Sequence, residues 1–199
     1  MKEEKKICHY LDLPIQHAND DILKRMGRRT SKNQLEEIIG RLRREIPDIA
    51  LRTTLITGFP GETSEQFEEL ADFVKQGYFS HVGAFAYSKE EGTRAAKMPN
   101  QIPKRTKEGR RGQLLLAQQP ISKAYMQKAV GQIKQVIIEE YDEDICMYVG
   151  RAESQAPEVD GVTYISSPVP LILGQIVPCK IVQANEYDWM GEAINDVSQ

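Results

Sequence analysis

The feature that most constrains this chain is the junction at residues 50–67, ALRTTLITGFPGETSEQF. An apolar, β-branched run ends at Thr57, meets Gly58-Phe59-Pro60-Gly61, and restarts at Thr63 as a helix. Thr63 with Gln66 three residues on makes a capping box. A buried strand followed at once by a capped helix is half of a βαβ unit, which implies a parallel sheet with right-handed crossovers. Two glycines and a proline are more than a plain turn needs. Glycine permits positive φ and close backbone approach, and proline stiffens the loop. The junction reads as a ligand-facing loop or as a tight turn.

The pattern repeats on both sides. Residues 10–16 (YLDLPIQ), 50–57 and 80–87 (SHVGAFAY) read as three strands. Between the first two, Leu35, Ile38, Ile39, Leu42 and Ile46 recur at helical spacing after a Ser31/Gln34 capping box. Between the second and third, Phe67, Leu70, Ala71 and Val74 form an apolar stripe, and Gly77 fits a C′ position. Asn19, Asp20 or Asp21 can cap a short helix carrying Ile22, Leu23 and Met26. A further helix is predicted over about 104–130, with a kink or break at Pro120.

Beyond residue 130 the period changes. IKQVIIEEY, CMYVGRA, VTYISS and QIVPCKIVQAN are short β-rich runs, with DWMGEAI as a candidate fifth. Turn residues separate them, which suggests a small closed or nearly closed barrel. We therefore expect two domains, 1–130 and 131–199. Charge divides at the same place. Residues 1–130 carry 23 Lys and Arg against 17 acids, a net of +6; residues 131–199 carry 3 against 12, a net of −9. An acidic barrel is a poor footprint for nucleic acid and suits a basic protein partner. The other reading of that charge is a solvated surface.

No apolar run is long enough for a membrane span. The opening MKEEKK leads into no secretory apolar region. Cys8, Cys146 and Cys179 are far apart, the closest two separated by 33 residues. This spacing argues against a disulfide framework and fits a cytoplasmic protein. We expect Cys8 to be an ordinary buried thiol.

Three strand ends thus carry polar, Gly-containing loops: Gln16-His17 with Arg25, Arg28 and Arg29 nearby, the Gly58–Glu62 loop, and Tyr87-Ser88 with Glu90, Glu91, Gly92 and Thr93. In parallel α/β folds ligands sit at that rim. Each element also has a structural reading. Glu62 is a ligand partner or a helix N-terminal charge, His17 a catalyst or a satisfied polar group, and the arginines a site or complements of a helix dipole.

These stretches carry a resemblance. LDLPIQHANDDILKRMGRR, RTTLITGFPGETSEQF and VGAFAYSKEEGTRAAKMPNQIP resemble the second half of the core of the radical S-adenosylmethionine methylthiotransferases. VGRAESQAPEVDGVTYI and VQANEYDWMGEA resemble the TRAM domain that ends them. The resemblance implies about three β/α units of a TIM-like partial barrel followed by a five-stranded, OB-like TRAM barrel. Gln16-His17, Thr54 and Glu90-Glu91-Gly92-Thr93 resemble the branch that modifies an aspartate β-carbon of the twelfth small-subunit ribosomal protein. The sister branch that modifies tRNA is the first alternative, and a non-catalytic acidic protein-binding module the second.

By the same resemblance, Gln16, Arg28, Thr54, Gly58, Phe59, Pro60, Gly61, Glu62 and Phe85 would bind S-adenosylmethionine. His17, Glu90, Glu91, Asp142, Glu143 and Asp144 would face the substrate. Family members carry two four-iron clusters, the radical one on a CxxxCxxC motif. This chain has no such motif, so no metal site and no activity by itself are expected. The barrel would meet a basic ribosomal protein, with no direct nucleic-acid partner and no membrane. The open edges of a three-stranded sheet would favour a homodimer.

Overall fold

In a computed structural model, which describes residues 1–194, the chain forms two compact units. One spans Leu11–Ile121, and the other runs from Ser122 onward together with Glu3–Tyr10.

The first unit holds the α/β elements. They are β1 (Tyr10–Asp12), α1 (Asp20–Arg25), α2 (Lys32–Glu45), β2 (Ala50–Thr57), α3 (Ser64–Lys75) and β3 (His81–Ala86), followed by α4 (Lys104–Gln127), which continues into the second unit. The sheet order is β1-β2-β3, and β2 and β3 are parallel in the register Arg52↔His81 to Thr57↔Ala86. Leu51, Thr53, Leu55 and Thr57 are fully buried on one face of β2, whereas Thr54 and Ile56 are only half-buried on the other. The covered face is the core, with Ile22, Leu23, Leu35, Ile39, Phe67, Leu70, Phe73 and Val74 brought from α1, α2 and α3. Both capping boxes are present, Asn19 is the cap of α1, and Gly77 follows α3 at φ 71°.

Two local expectations change. The first strand is three residues long, not seven. Pro14 has no N–H to give the ladder. The Thr53 hydroxyl fills in, donating to the Leu13 carbonyl (2.7 Å) and accepting from the Ile15 N–H (3.2 Å). Gln16 then rejoins β2 as a single bridge to Leu55. The long helix, in turn, is not broken at Pro120 but runs as one α-helix of 24 residues. The carbonyl that proline deprives of a donor belongs to Leu116, an exposed residue that water can reach.

The second unit is a closed barrel of β4 (Ile133–Asp142), β5 (Met147–Ala152), β6 (Thr163–Ser166), β7 (Ile176–Ala184) and β8 (Trp189–Ala193) in the order β4-β5-β6-β8-β7. Closure leaves no free edge. Met126, Val136, Ile138, Ile165, Cys179, Ile181 and Trp189 fill its interior. Gly150 and Gly191 are required by closeness: a Cβ at Gly150 would lie 2.2 Å from the Ile137 carbonyl oxygen, and one at Gly191 2.4 Å from the Cys179 sulfur. No described helix is long and apolar enough to cross a membrane.

The cysteines separate by environment. Cys8 is exposed, against the expectation of a buried thiol, because it precedes β1 in a segment with little apolar cover. Cys146 is exposed and Cys179 buried. Burial, with Glu192 nearby, pushes the Cys179 thiol up to about 11. The thiolate is the reactive form. At pH 8 the native protein is therefore expected to give two fast equivalents with a disulfide reagent such as DTNB and the third only on unfolding. Three fast equivalents would contradict the buried Cys179.

Candidate functional site

The loop after β2 shows why two glycines are needed. Gly58 and Gly61 both adopt positive φ, 71° and 75°. A Cβ on Gly58 would lie 2.1 Å from Lys107 Cγ, and one on Gly61 2.4 Å from Arg25 Nη1. Side chains from α1 and α4 close on the loop backbone. Arg25 donates to the carbonyls of Pro60 (2.9 Å) and Gly61 (3.2 Å) and to Gln66 Oε1 (3.2 Å). The Gly61 N–H donates to the Asn100 carbonyl at 2.8 Å.

Glu62 ties the loop from below. Its side chain is fully buried. Oε2 accepts from the Gly58 N–H at 2.7 Å and from Arg110 Nη1 at 2.5 Å. Oε1 lies 3.2 Å from His17 Nε2. His17 Nδ1 accepts the Asn19 N–H at 2.9 Å, which assigns the ring proton to Nε2 and makes His17 a donor to Glu62. His17 is fully buried, so it does not face a substrate. Glu62 likewise has its carboxylate committed inside the protein. Both side chains are spent on holding the loop.

Above the loop lies an open cleft of about 350 Å³. Its lining comes from the end of the first strand (Gln16), from α1 and the turn after it (Arg25, Gly27, Arg28), from β2 and its loop (Ile56, Phe59), and from the segment after β3 (Tyr87, Arg94, Met98). Gln16 holds φ 70° while its N–H donates to the Thr54 carbonyl (2.9 Å) and its carbonyl accepts from Ile56 (2.8 Å). A non-glycine residue in the left-handed region is uncommon and marks a constrained backbone. The Phe59 and Tyr87 rings meet edge to face, with centroids 5.4 Å apart. Lys107 Nζ sits 5.2 Å from the Tyr87 ring centroid and donates to its carbonyl at 2.6 Å.

Of the residues expected at a ligand, Gln16, Arg28 and Phe59 line this cleft. Gly58, Pro60 and Gly61 shape the loop at its edge. Thr54 and Phe85 are on β2 and β3 outside its lining; Thr54 Oγ1 is 3.4 Å from Arg52 Nη1, and Phe85 is 58 % exposed. Glu90 and Glu91 are exposed in a turn where the Glu90 carbonyl accepts the Thr93 hydroxyl. Asp142, Glu143 and Asp144 form the β4–β5 turn of the other unit, and Asp142 Oδ1 accepts the N–H groups of Asp144 (3.0 Å) and Ile145 (3.3 Å). Arg94, Met98, Lys107 and Arg110 were not legible as site residues. Nothing in a basic stretch of helix announces which of its cations turns inward.

Residues 1–74 match the radical SAM superfamily and residues 130–194 the TRAM domain. The chain is 50 % identical over 194 residues to the ribosomal protein uS12 methylthiotransferase RimO of Desulfitobacterium hafniense, covering 98 % of this chain and 43 % of that protein. It is 49 % identical to RimO of Lachnoclostridium phytofermentans, over 97 % of this chain and 44 % of the relative. It is 47 % identical to RimO of Geobacter sulfurreducens, over 98 % and 44 %. Across nearly its whole length the chain is thus similar to RimO-type radical SAM methylthiotransferases. It spans less than half the length of these relatives.

In RimO-type terms two cofactors are implied, and the residues present fit them differently. A cleft lined by aromatic rings and arginines suits an adenosyl amino acid, which joins a flat ring to a carboxylate. For an iron–sulfur cluster, the described residues offer no group of three or more His, Cys, Asp or Glu placed to hold a metal. The described residues do not fit the cluster.

Proposed function

We propose that this chain is part of a methylthiotransferase that modifies the ribosomal protein uS12, and that it supplies the S-adenosylmethionine cleft and a docking barrel. The observation that supports this most is collinear identity near 50 % with RimO proteins across both units, together with a cleft at the strand ends where the fold class binds ligands. S-adenosylmethionine, once bound in the whole enzyme, supplies the radical and methyl chemistry. The residues here bind and orient it. Arg28 is placed to pair with a carboxylate, since a guanidinium offers a bidentate fork. Phe59 and Ile56 form an apolar bed for a ring. Gly58, Pro60 and Gly61 hold the loop close, and Gln16 carries its backbone across the cleft mouth. Thr54 and Phe85 on the open face of the sheet, and Glu90 and Glu91 in the exposed turn, are proposed to line the approach of the substrate protein.

The barrel's partner follows from charge. The residue range 131–199 nets −9, so a basic ribosomal protein is attracted and a polyanion repelled. This favours the uS12 reading over a tRNA substrate of the MiaB type. The free edges of the three-stranded sheet, β1 and β3, are the surfaces on which self-association is proposed.

Binding of the chain to purified uS12, with tRNA as the control, tests the reading. The expected result is saturable binding to uS12, none to tRNA, and a loss of about tenfold in affinity when Glu143 and Asp144 are both changed to lysine. Asp142 is left intact because it holds the turn. Binding to tRNA in place of uS12, or indifference to the reversal, would remove the acidic-docking account.

A further inference from the structure

Two guanidinium groups and a hydroxyl at the cleft have no work inside the protein. Arg28 and Arg94 both line it, both are exposed, and neither guanidinium has a partner among the described residues. Arg25, the third arginine there, is spent on the loop carbonyls. Tyr87 also lines the cleft, and its hydroxyl is buried from solvent with no hydrogen-bond partner. Burying a hydroxyl unpaired is costly, and such groups in folded proteins call for an explanation. The rest of Tyr87 is fixed: its N–H donates to the Thr57 carbonyl (2.9 Å), its ring meets Phe59, and Lys107 lies over its face. Tyr87 is thus a fixed residue of the cleft lining whose one polar atom is unsatisfied.

We infer that Arg94 and Tyr87 are ligand-reading residues of this cleft. Arg94 shares with Arg28 the recognition of a carboxylate on the ligand, and the Tyr87 hydroxyl takes a hydrogen bond to a polar atom of its adenosyl part. Arg94 lies in the segment after β3 and Arg28 in the turn after α1, so a carboxylate in the cleft meets charge brought by two separate stretches of chain. The apolar part of the lining, Ile56, Phe59 and Met98, carries no charge and takes the remainder. The inference rests on the reading of the cleft as the S-adenosylmethionine site, and it goes further by assigning two residues from a loop whose role was read only as substrate-facing.

Two stable probes separate the parts. S-adenosylhomocysteine has the carboxylate; 5′-methylthioadenosine keeps the adenosyl group and lacks it. Binding of each to the 199-residue chain is measured by calorimetry for wild type, Arg94→Met and Tyr87→Phe. The Arg94→Met change is expected to weaken S-adenosylhomocysteine about tenfold and to leave methylthioadenosine within about twofold, because a charge-assisted bond is lost from one probe only. Tyr87→Phe removes only the hydroxyl and keeps the ring contacts. It is expected to weaken both probes by about fivefold, the effect of one neutral hydrogen bond. Retained methylthioadenosine binding by Arg94→Met shows that this variant is folded. Circular dichroism matching wild type shows the same for Tyr87→Phe. If wild type binds S-adenosylhomocysteine and both variants match it, the assignment of Arg94 and Tyr87 is wrong while the cleft reading stands. If wild type binds neither probe, the cleft reading falls and takes this assignment with it.

Discussion

Glu62→Ala is expected to lower the stability of the α/β unit by about 3–5 kcal/mol, the usual cost of removing one partner from a buried charged pair. The physical reason lies in what is left behind. Arg110, only 11 % exposed at its side chain, loses its counter-charge. The His17 Nε2–H and the Gly58 N–H lose their acceptor in a place water does not reach. Each such orphan costs about 1–3 kcal/mol, though they overlap and do not simply add. Glu62→Gln keeps the shape and one carbonyl oxygen, so it is expected to cost less. Urea unfolding followed by far-ultraviolet circular dichroism measures this, since α1, α2 and α3 all belong to that unit. An Ala variant within 1 kcal/mol of wild type would show that the buried carboxylate does not hold the loop. The same substitution is expected to reduce nucleoside binding in the cleft, because Phe59 sits between two glycines whose positions Glu62 sets through the Gly58 N–H.

Trp189→Ala is expected to cost the barrel a similar amount, about 3–5 kcal/mol for a fully buried tryptophan. Trp189 is 1 % exposed, and its indole Nε1–H donates to the Met126 carbonyl at 3.0 Å. That carbonyl lies in the last turn of α4, where it also accepts the Ala129 N–H at 3.1 Å. The variant therefore loses core volume and a helix-end hydrogen bond together. In a unit this small the melting temperature is expected to fall by roughly 15 °C or more, at about 4–8 °C per kcal/mol. Differential scanning calorimetry reads it directly. Trp189→Phe separates the two contributions, since it restores most of the ring and none of the N–H. A phenylalanine variant as stable as wild type would assign the whole effect to volume.

The sequence by itself determined the kind and order of the elements. Residues 50–57 are an apolar, β-branched run, the stretches after Ser31 and Thr63 carry capping boxes with apolar stripes, and the five β-rich runs after residue 130 are separated by turn residues. These are local properties of period 2 or 3.6, and local physics is legible without a fold. Even the local misreadings have local causes: the first strand stops because Pro14 cannot donate, and α4 survives Pro120 because the carbonyl left over is at an exposed residue.

Only the tertiary structure decided how the site is held. His17 and Glu62 each had a ligand reading and a structural one, and they are the buried anchor of the loop. Arg25 looked like a helix-dipole complement and clamps two loop carbonyls. Lys107 and Arg110 sat unremarked in a basic stretch more than 40 residues beyond the loop they brace. A charged side chain writes the same letter whether it is solvated or buried against a partner. Its role depends on which distant backbone the fold brings within about 3 Å of it. For a pair such as Arg110 and Glu62, 48 residues apart, no spacing rule connects the two, and the sheet and its crossovers alone put them in contact.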